Sequence, residues 1–115
     1  MNSQDILKIA AKALDDKKAK DLEIIKVEDV TTLTDYFLLA SGTSSTQVKA
    51  LADEVEYRLS QEGVGAHHIE GRSSSWILLD YISVVVHVFY EEAREFYSLE
   101  RLWSDGVKIP LEEIL

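Results

Sequence analysis

The chain has no cysteine, one proline, one methionine and five glycines in 115 residues. Without cysteine it can form neither disulfides nor thiolate metal sites. That composition fits residence in the cytosol. No window approaches the ~20 apolar residues of a membrane-spanning helix. The amino terminus, MNSQDILKIAAKALDDKK, lacks the basic start and unbroken apolar segment of a signal peptide. Basic residues are scarce as well: 12 Lys and Arg stand against 21 Asp and Glu, a formal net charge of −9. Proteins grip the phosphate backbone by neutralising it with Lys and Arg, so this balance argues against direct DNA binding and leaves any RNA contact peripheral. It favours a protein partner with a basic surface, toward which complementary charge steers association. A P-loop, a dinucleotide fingerprint and a basic stripe with interleaved aromatics are all missing.

What is present is ordinary for a folded domain: 46% apolar and 29% charged residues. One domain over residues 1–115 can bury about 65% of its unfolded surface. Ile6, Ile9, Ala10, Ala13 and Leu14 follow the spacing of one buried helical stripe, predicting a helix from about Ser3 to Lys18 with Asn2 or Ser3 as N-cap. Strands are expected at Asp21–Val30 and Tyr36–Ala40. A second helix runs from Ser45 to Glu62, capped by Ser44 with Gln47 three residues on and stopped by Gly63 and Gly65. A short strand at Ala66–Glu70 and two more at Trp76–Tyr81 and Val84–Tyr90 precede a last helix that opens with Glu91 and Glu92. The tail from Val107 carries apolar residues that can pack along the domain or add to a partner surface. This order is that of an α/β domain with a mixed sheet of about five strands flanked by helices.

The stretch from Trp76 to Trp103 holds both tryptophans and two of the three phenylalanines. If its two strands are joined by Ile82-Ser83, then Tyr81 faces Val84, Leu79 faces Val86 and Ile77 faces Val88 on one side. Asp80 faces Val85, Leu78 faces His87 and Trp76 faces Phe89 on the other. The first face is wholly apolar or aromatic and belongs to the core. The second mixes Trp76, Leu78, Val85 and Phe89 with Asp80 and His87, so it is either covered by a helix of the chain or offered to a partner. Tight hairpin turns favour Gly, Asn or Asp. Ile82 suits such a turn poorly, and a longer loop or a local distortion is expected there.

Enzymatic chemistry finds little support. His67 and His68 are adjacent on a strand and point opposite ways, which rules out a compact two-histidine metal site. His87 and Asp80 share a face but read as structural residues. The loop Ser41-Gly42-Thr43-Ser44, between a strand and a helix, could cradle a phosphate on helix amides. Nucleotidyltransferases follow such a loop with an acidic pair on a strand. Here the following acids, Asp53, Glu54 and Glu56, fall inside a helix, and a capping turn is the simpler reading. No cofactor and no metal are expected.

Several ordered motifs together resemble the ribosomal silencing factor family, RsfS/Iojap. They are Asp35-Tyr36-Phe37, Ala40-Ser41-Gly42-Thr43-Ser44-Ser45, Trp76-Ile77-Leu78-Leu79-Asp80-Tyr81, Val84-Val85-Val86-His87-Val88-Phe89 and the run from Arg94 to Trp103. The resemblance implies a small nucleotidyltransferase-like α/β domain without the catalytic acids. It implies binding to large ribosomal subunit protein fourteen where the small subunit docks, so that the subunits cannot join and translation falls when nutrients are short. Organelle relatives act in large-subunit assembly, which is one alternative role; nucleotide binding or nucleotidyl transfer at Ser41–Ser44 is the other. The family pattern has Gly-Asp between the hairpin strands where this chain has Ile82-Ser83. Partner contacts are expected from Trp76, Asp80, His87 and Phe89 on the mixed hairpin face, and from Tyr97, Leu99, Glu100 and Trp103 on the last helix. Self-association into a homodimer is left open.

Overall fold

Asn2 starts the first helix, α1 (Ser3–Asp16), through a reciprocal cap: the Asp5 amide donates to Asn2 Oδ1 at 2.9 Å, and the Asn2 amide donates to Asp5 Oδ2 at 3.3 Å. The helix stops two residues earlier than its apolar periodicity suggests. Lys18 takes a left-handed φ of 62°, and its amide and that of Ala19 return to Asp15 and Leu14. The computed structural model describes residues 1–28, 33–71, 75–92 and 106–115. Within them follow β1 (Lys20–Lys26), β2 (Tyr36–Gly42), α2 (Ser45–Gln61), β3 (His68–Glu70), β4 (Trp76–Asp80), β5 (Val84–Tyr90), β6 (Val107–Ile109) and a single 3₁₀ turn at Leu111–Glu113. The chain is helical again at Glu91 and Glu92; the rest of the expected last helix lies outside the described residues.

The strands lie side by side in the order β3-β4-β5-β2-β1-β6. β2 and β5 run parallel and every other neighbouring pair is antiparallel, so the sheet is mixed. The described residues form six strands rather than about five. The additional strand is the tail: Val107, Lys108 and Ile109 pair with Lys26, Ile25 and Ile24 on the outer edge of β1. Only three residues long, it was too short for a periodic signal to identify.

Side-chain alternation divides the sheet into two layers. Toward α1 and α2 point Ile24, Tyr36, Leu38, Ala40, Ile77, Leu79, Val84, Val86 and Val88, which pack with Leu7, Leu14, Leu51, Val55 and Leu59 of the helices. Each fully buried aliphatic side chain contributes about 1.5–3 kcal/mol, so this layer dominates the stability. On the opposite side a second cluster gathers Ile25, Val27, Phe37, Leu39 and Phe89, with Trp76 and Val85 packed against it. The hairpin pairs as its alternation predicts: Trp76 with Phe89, Ile77 with Val88, Leu78 with His87, Leu79 with Val86 and Asp80 with Val85.

One contact seats α2 on the sheet and another ties the two helices together. Gly42 ends β2 directly beneath α2, where a Cβ would meet Val48 Cγ2 at 3.0 Å and the Val48 amide nitrogen at 3.1 Å. Arg58 of α2 bridges to α1, with its Nη1 2.8 Å from Asp16 Oδ2 and its Nε 2.7 Å from Glu54. Hydrogen bonding from Arg58, and after it from Lys12, holds the Asp16 carboxyl below its ordinary value of 3.8.

Two predictions follow from these contacts. Gly42→Ala must push α2 outward and should cost about 1–3 kcal/mol of stability by chemical denaturation. Because the Asp16 carboxyl is depressed in the folded state, its contribution is present above the unfolded value and lost as pH falls through the folded one. The melting temperature of Asp16→Asn should therefore lie below that of the parent at pH 7, and the gap should close as the pH is taken below 3.8.

Candidate partner-binding face

The sheet face away from α1 and α2 can be read as cross-strand rows. One row runs His68, Asp80, Val85, Phe37, Ile25, Lys108, and the next runs Glu70, Leu78, His87, Leu39, Glu23. The third holds Trp76, Phe89 and Ser41. Exposure changes along these rows. Ile25 on β1 and Phe37, Leu39 and Ser41 on β2 are buried, whereas Trp76, Leu78 and Asp80 on β4 and Val85 on β5 are half-exposed and His68 and Glu70 on β3 are exposed.

Trp76 sits on a constructed platform. Its indole stacks on Phe89 with ring centroids 5.3 Å apart and planes 22° from parallel. Its Nε1–H donates to His87 Nδ1 at 3.1 Å. His87 in turn stacks on Phe89 at 6.1 Å and takes the ring of Phe37 edge-on at 5.1 Å. Phe89 is 0% exposed and His87 5%. Of the four hairpin residues expected to touch a partner, Trp76 and Asp80 therefore reach the surface. Phe89 and His87 do not: they lie beneath Trp76 and support it. Their place in the alternation gave the correct face but not their depth in it. Tyr97, Leu99, Glu100 and Trp103 lie outside the described residues.

Glu70 and His68 belong to this face although they were not among the expected contacts. Their side chains pair at 2.7 Å and lie beside Leu78 and Asp80 because β3 runs antiparallel to β4. The signal lay in the period-two spacing of His68 and Glu70, but nothing in the sequence alone says which strand β3 joins. With Asp80 and Glu70 both on it, the exposed part of the face is acidic around an aromatic centre.

The remaining chemical candidates are occupied otherwise. Ser44 Oγ caps α2 by accepting from the Gln47 amide at 3.1 Å. Gln47 Oε1 reaches back to the Thr43 amide at 2.6 Å and the Thr43 hydroxyl at 2.9 Å. Ser41 is buried. The loop's polar groups are thus taken up in holding the helix start. Asp80 Oδ1 accepts from the Ile82 amide at 2.7 Å, and His87 is bonded to Trp76, so the two do not form an acid–base pair. Among the described residues no group of three or more His, Asp or Glu is placed to hold a metal ion. A groove of about 470 Å³ opens on the helix side, bordered by Lys8, Lys12, Arg58 and Leu115. It does not reach this face.

The profile of the family described as "RsfS: Ribosomal silencing factor during starvation" matches residues 1–115. The chain belongs to the RsfS family of ribosomal silencing factors. It is 42% identical over 107 residues to the ribosomal silencing factor RsfS of Bacillus subtilis, covering 92% of this chain and 91% of that protein. With the RsfS of Halalkalibacterium halodurans it shares 35% identity over 116 residues, covering 100% and 99% of the two chains. A crystal structure of a Chromobacterium violaceum protein superposes with a TM-score of 0.88 at 40% identity, over 96% of this chain and 92% of that one.

In this RsfS family member the hairpin turn is tight, and of the two expected outcomes, a longer loop or a local distortion, it takes the distortion. The Tyr81 amide donates to Val84 O and the Ser83 amide to Tyr81 O, each at 2.9 Å, so Ile82-Ser83 is the whole loop. Ile82 is the centre of a γ-turn with φ at 71°, a conformation that a β-branched residue strains to hold. The Asp80 carboxylate supports it from one side. On the other, Ser83 O accepts from the Asp35 and Tyr36 amides at 3.0 and 3.2 Å. The Ile82 side chain is 62% exposed, so little packing offsets the strain. Ile82→Gly should raise stability by about 1 kcal/mol, read as an increased denaturation midpoint at an unchanged slope.

Proposed function

We propose that this chain silences translation by binding the large ribosomal subunit through large ribosomal subunit protein fourteen and blocking the small subunit from joining. Membership of the silencing-factor family supports the ribosomal role. The observation that carries the docking face is Trp76. It is a large aromatic held half-exposed on buried Phe89 and His87, with Asp80 and Glu70 beside it. Aromatic side chains held rigidly at the centre of a patch are the usual anchors of an interface. Surrounding carboxylates select a basic partner and repel acidic ones. The first Asp80 oxygen serves the Ile82 turn; the second can still accept from a partner Lys or Arg.

The mechanism is occlusion and needs no bond-breaking chemistry. A body measuring 33 × 33 × 26 Å, seated where two subunits must come into contact, keeps them apart for as long as it stays bound. The degree of silencing is then set by occupancy, hence by affinity and concentration. Its setting is the cytoplasm of a nutrient-limited cell, where retaining large subunits in an unjoined form lowers protein synthesis.

The test is co-sedimentation with purified large subunits, without added nucleotide, for the parent and two variants. Trp76→Ala should weaken binding by about 30-fold, corresponding to roughly 2 kcal/mol for a central aromatic. Glu70→Lys should slow association severalfold at low salt and match the parent at high salt, because its effect is screened. Failure of the parent chain to sediment with large subunits would overturn the proposal.

A further inference from the structure

We infer that His87 is the positioning residue for Trp76, acting as a fixed hydrogen-bond acceptor that sets the angle at which the indole meets the partner. This rests on the docking role proposed for Trp76 and specifies what holds that side chain in its docking geometry. An indole N–H can only donate. The 3.1 Å contact from Trp76 Nε1 therefore requires His87 Nδ1 to carry a lone pair, leaving the ring's proton on Nε2. His87 is thus in one tautomer, and that tautomer is part of the site.

The surroundings make this acceptor rigid. The His87 ring is 5% exposed, clamped edge-on by Phe37 at 5.1 Å and stacked at 6.1 Å on Phe89, which is itself fully buried. It belongs to β5, the strand between β4 and β2 in the sheet. Trp76 is the first residue of β4. Stacking on Phe89 fixes the plane of the indole but permits rotation within it. The bond to Nδ1 removes that freedom. A half-exposed Trp at a strand end is held in one orientation by two buried rings, one supplying contact and the other direction. Ordering the side chain before binding spares the entropy of ordering it on contact.

Three measurements test this. In the unmodified protein, long-range ¹⁵N–¹H correlation of the histidine rings should show His87 with Nδ1 unprotonated and Nε2 protonated at neutral pH. A proton on Nδ1 would overturn the inference without any variant. The indole N–H of Trp76, assigned by its loss in Trp76→Phe, should exchange with water at least about tenfold faster in His87→Leu. It should stay protected in His87→Asn, whose Oδ1 can take the place of Nδ1. Affinity for large subunits should fall about tenfold in His87→Leu and recover to within about threefold of the parent in His87→Asn.

The double variant Trp76→Phe with His87→Leu should bind no more weakly than Trp76→Phe alone, because His87 acts through the indole. Additive losses would contradict that. If Trp76→Phe and Trp76→Ala both bind like the parent, the docking role of Trp76 fails. If they bind weakly while His87→Leu binds like the parent, positioning alone fails.

Discussion

Along β5, Val84, Val86 and Val88 point toward the helices while Val85, His87 and Phe89 point away, and both layers of the protein depend on that alternation. β5 pairs with β2 on one side and β4 on the other, so its register is passed across the sheet. A slip of one residue would send the valines out and the aromatic rings into the helix layer. Three apolar side chains under α1 and α2 hold the register from one side. The stacked rings hold it from the other. The residues that create the core thus also determine where Trp76 is presented.

The proposed docking face is the outer part of a second core rather than a surface added to a finished domain. Its inner part, over β1 and β2, is buried apolar packing around Phe37 and Leu39. Toward β3 and β4 the same rows become half-exposed and acidic. This gradient gives the face a rigid base and an accessible margin. Strain is located nearby and not at the centre: the γ-turn at Ile82 is held by Asp80, a residue of the same face, while the Trp76 contacts are relaxed stacking and one hydrogen bond.

Much of this was legible in the sequence because it depends on period. The pairing of Trp76 with Phe89 and Leu78 with His87, and the two-faced hairpin, follow from alternation alone. The caps at Ser44 and Gly63 follow from local backbone chemistry. Other features depend on tertiary position, which periodicity does not carry. His87 and Phe89 share a face with Trp76 yet lie deeper, since burial there reflects their nearness to β2 and β1. Glu70 lies on this face only because β3 pairs with β4. At the turn, intrinsic preference argues against Ile82 at positive φ, which made a distortion legible but not the two-residue length of the loop. Bonds from Asp80, Asp35 and Tyr36 to the turn hold it there all the same. The tail strand pairs three residues on an edge, too few to leave a pattern.

The central claim is that this chain meets the large subunit with the outer face of β3, β4 and β5. Hydroxyl-radical footprinting of the free chain and of its complex with large subunits measures this side chain by side chain. The account predicts that Trp76, Leu78 and Val85 lose reactivity on binding, while Tyr57, 59% exposed on α2, keeps it. Protection of Tyr57 and the helix side, with Trp76 and Leu78 as reactive as in the free chain, would contradict it.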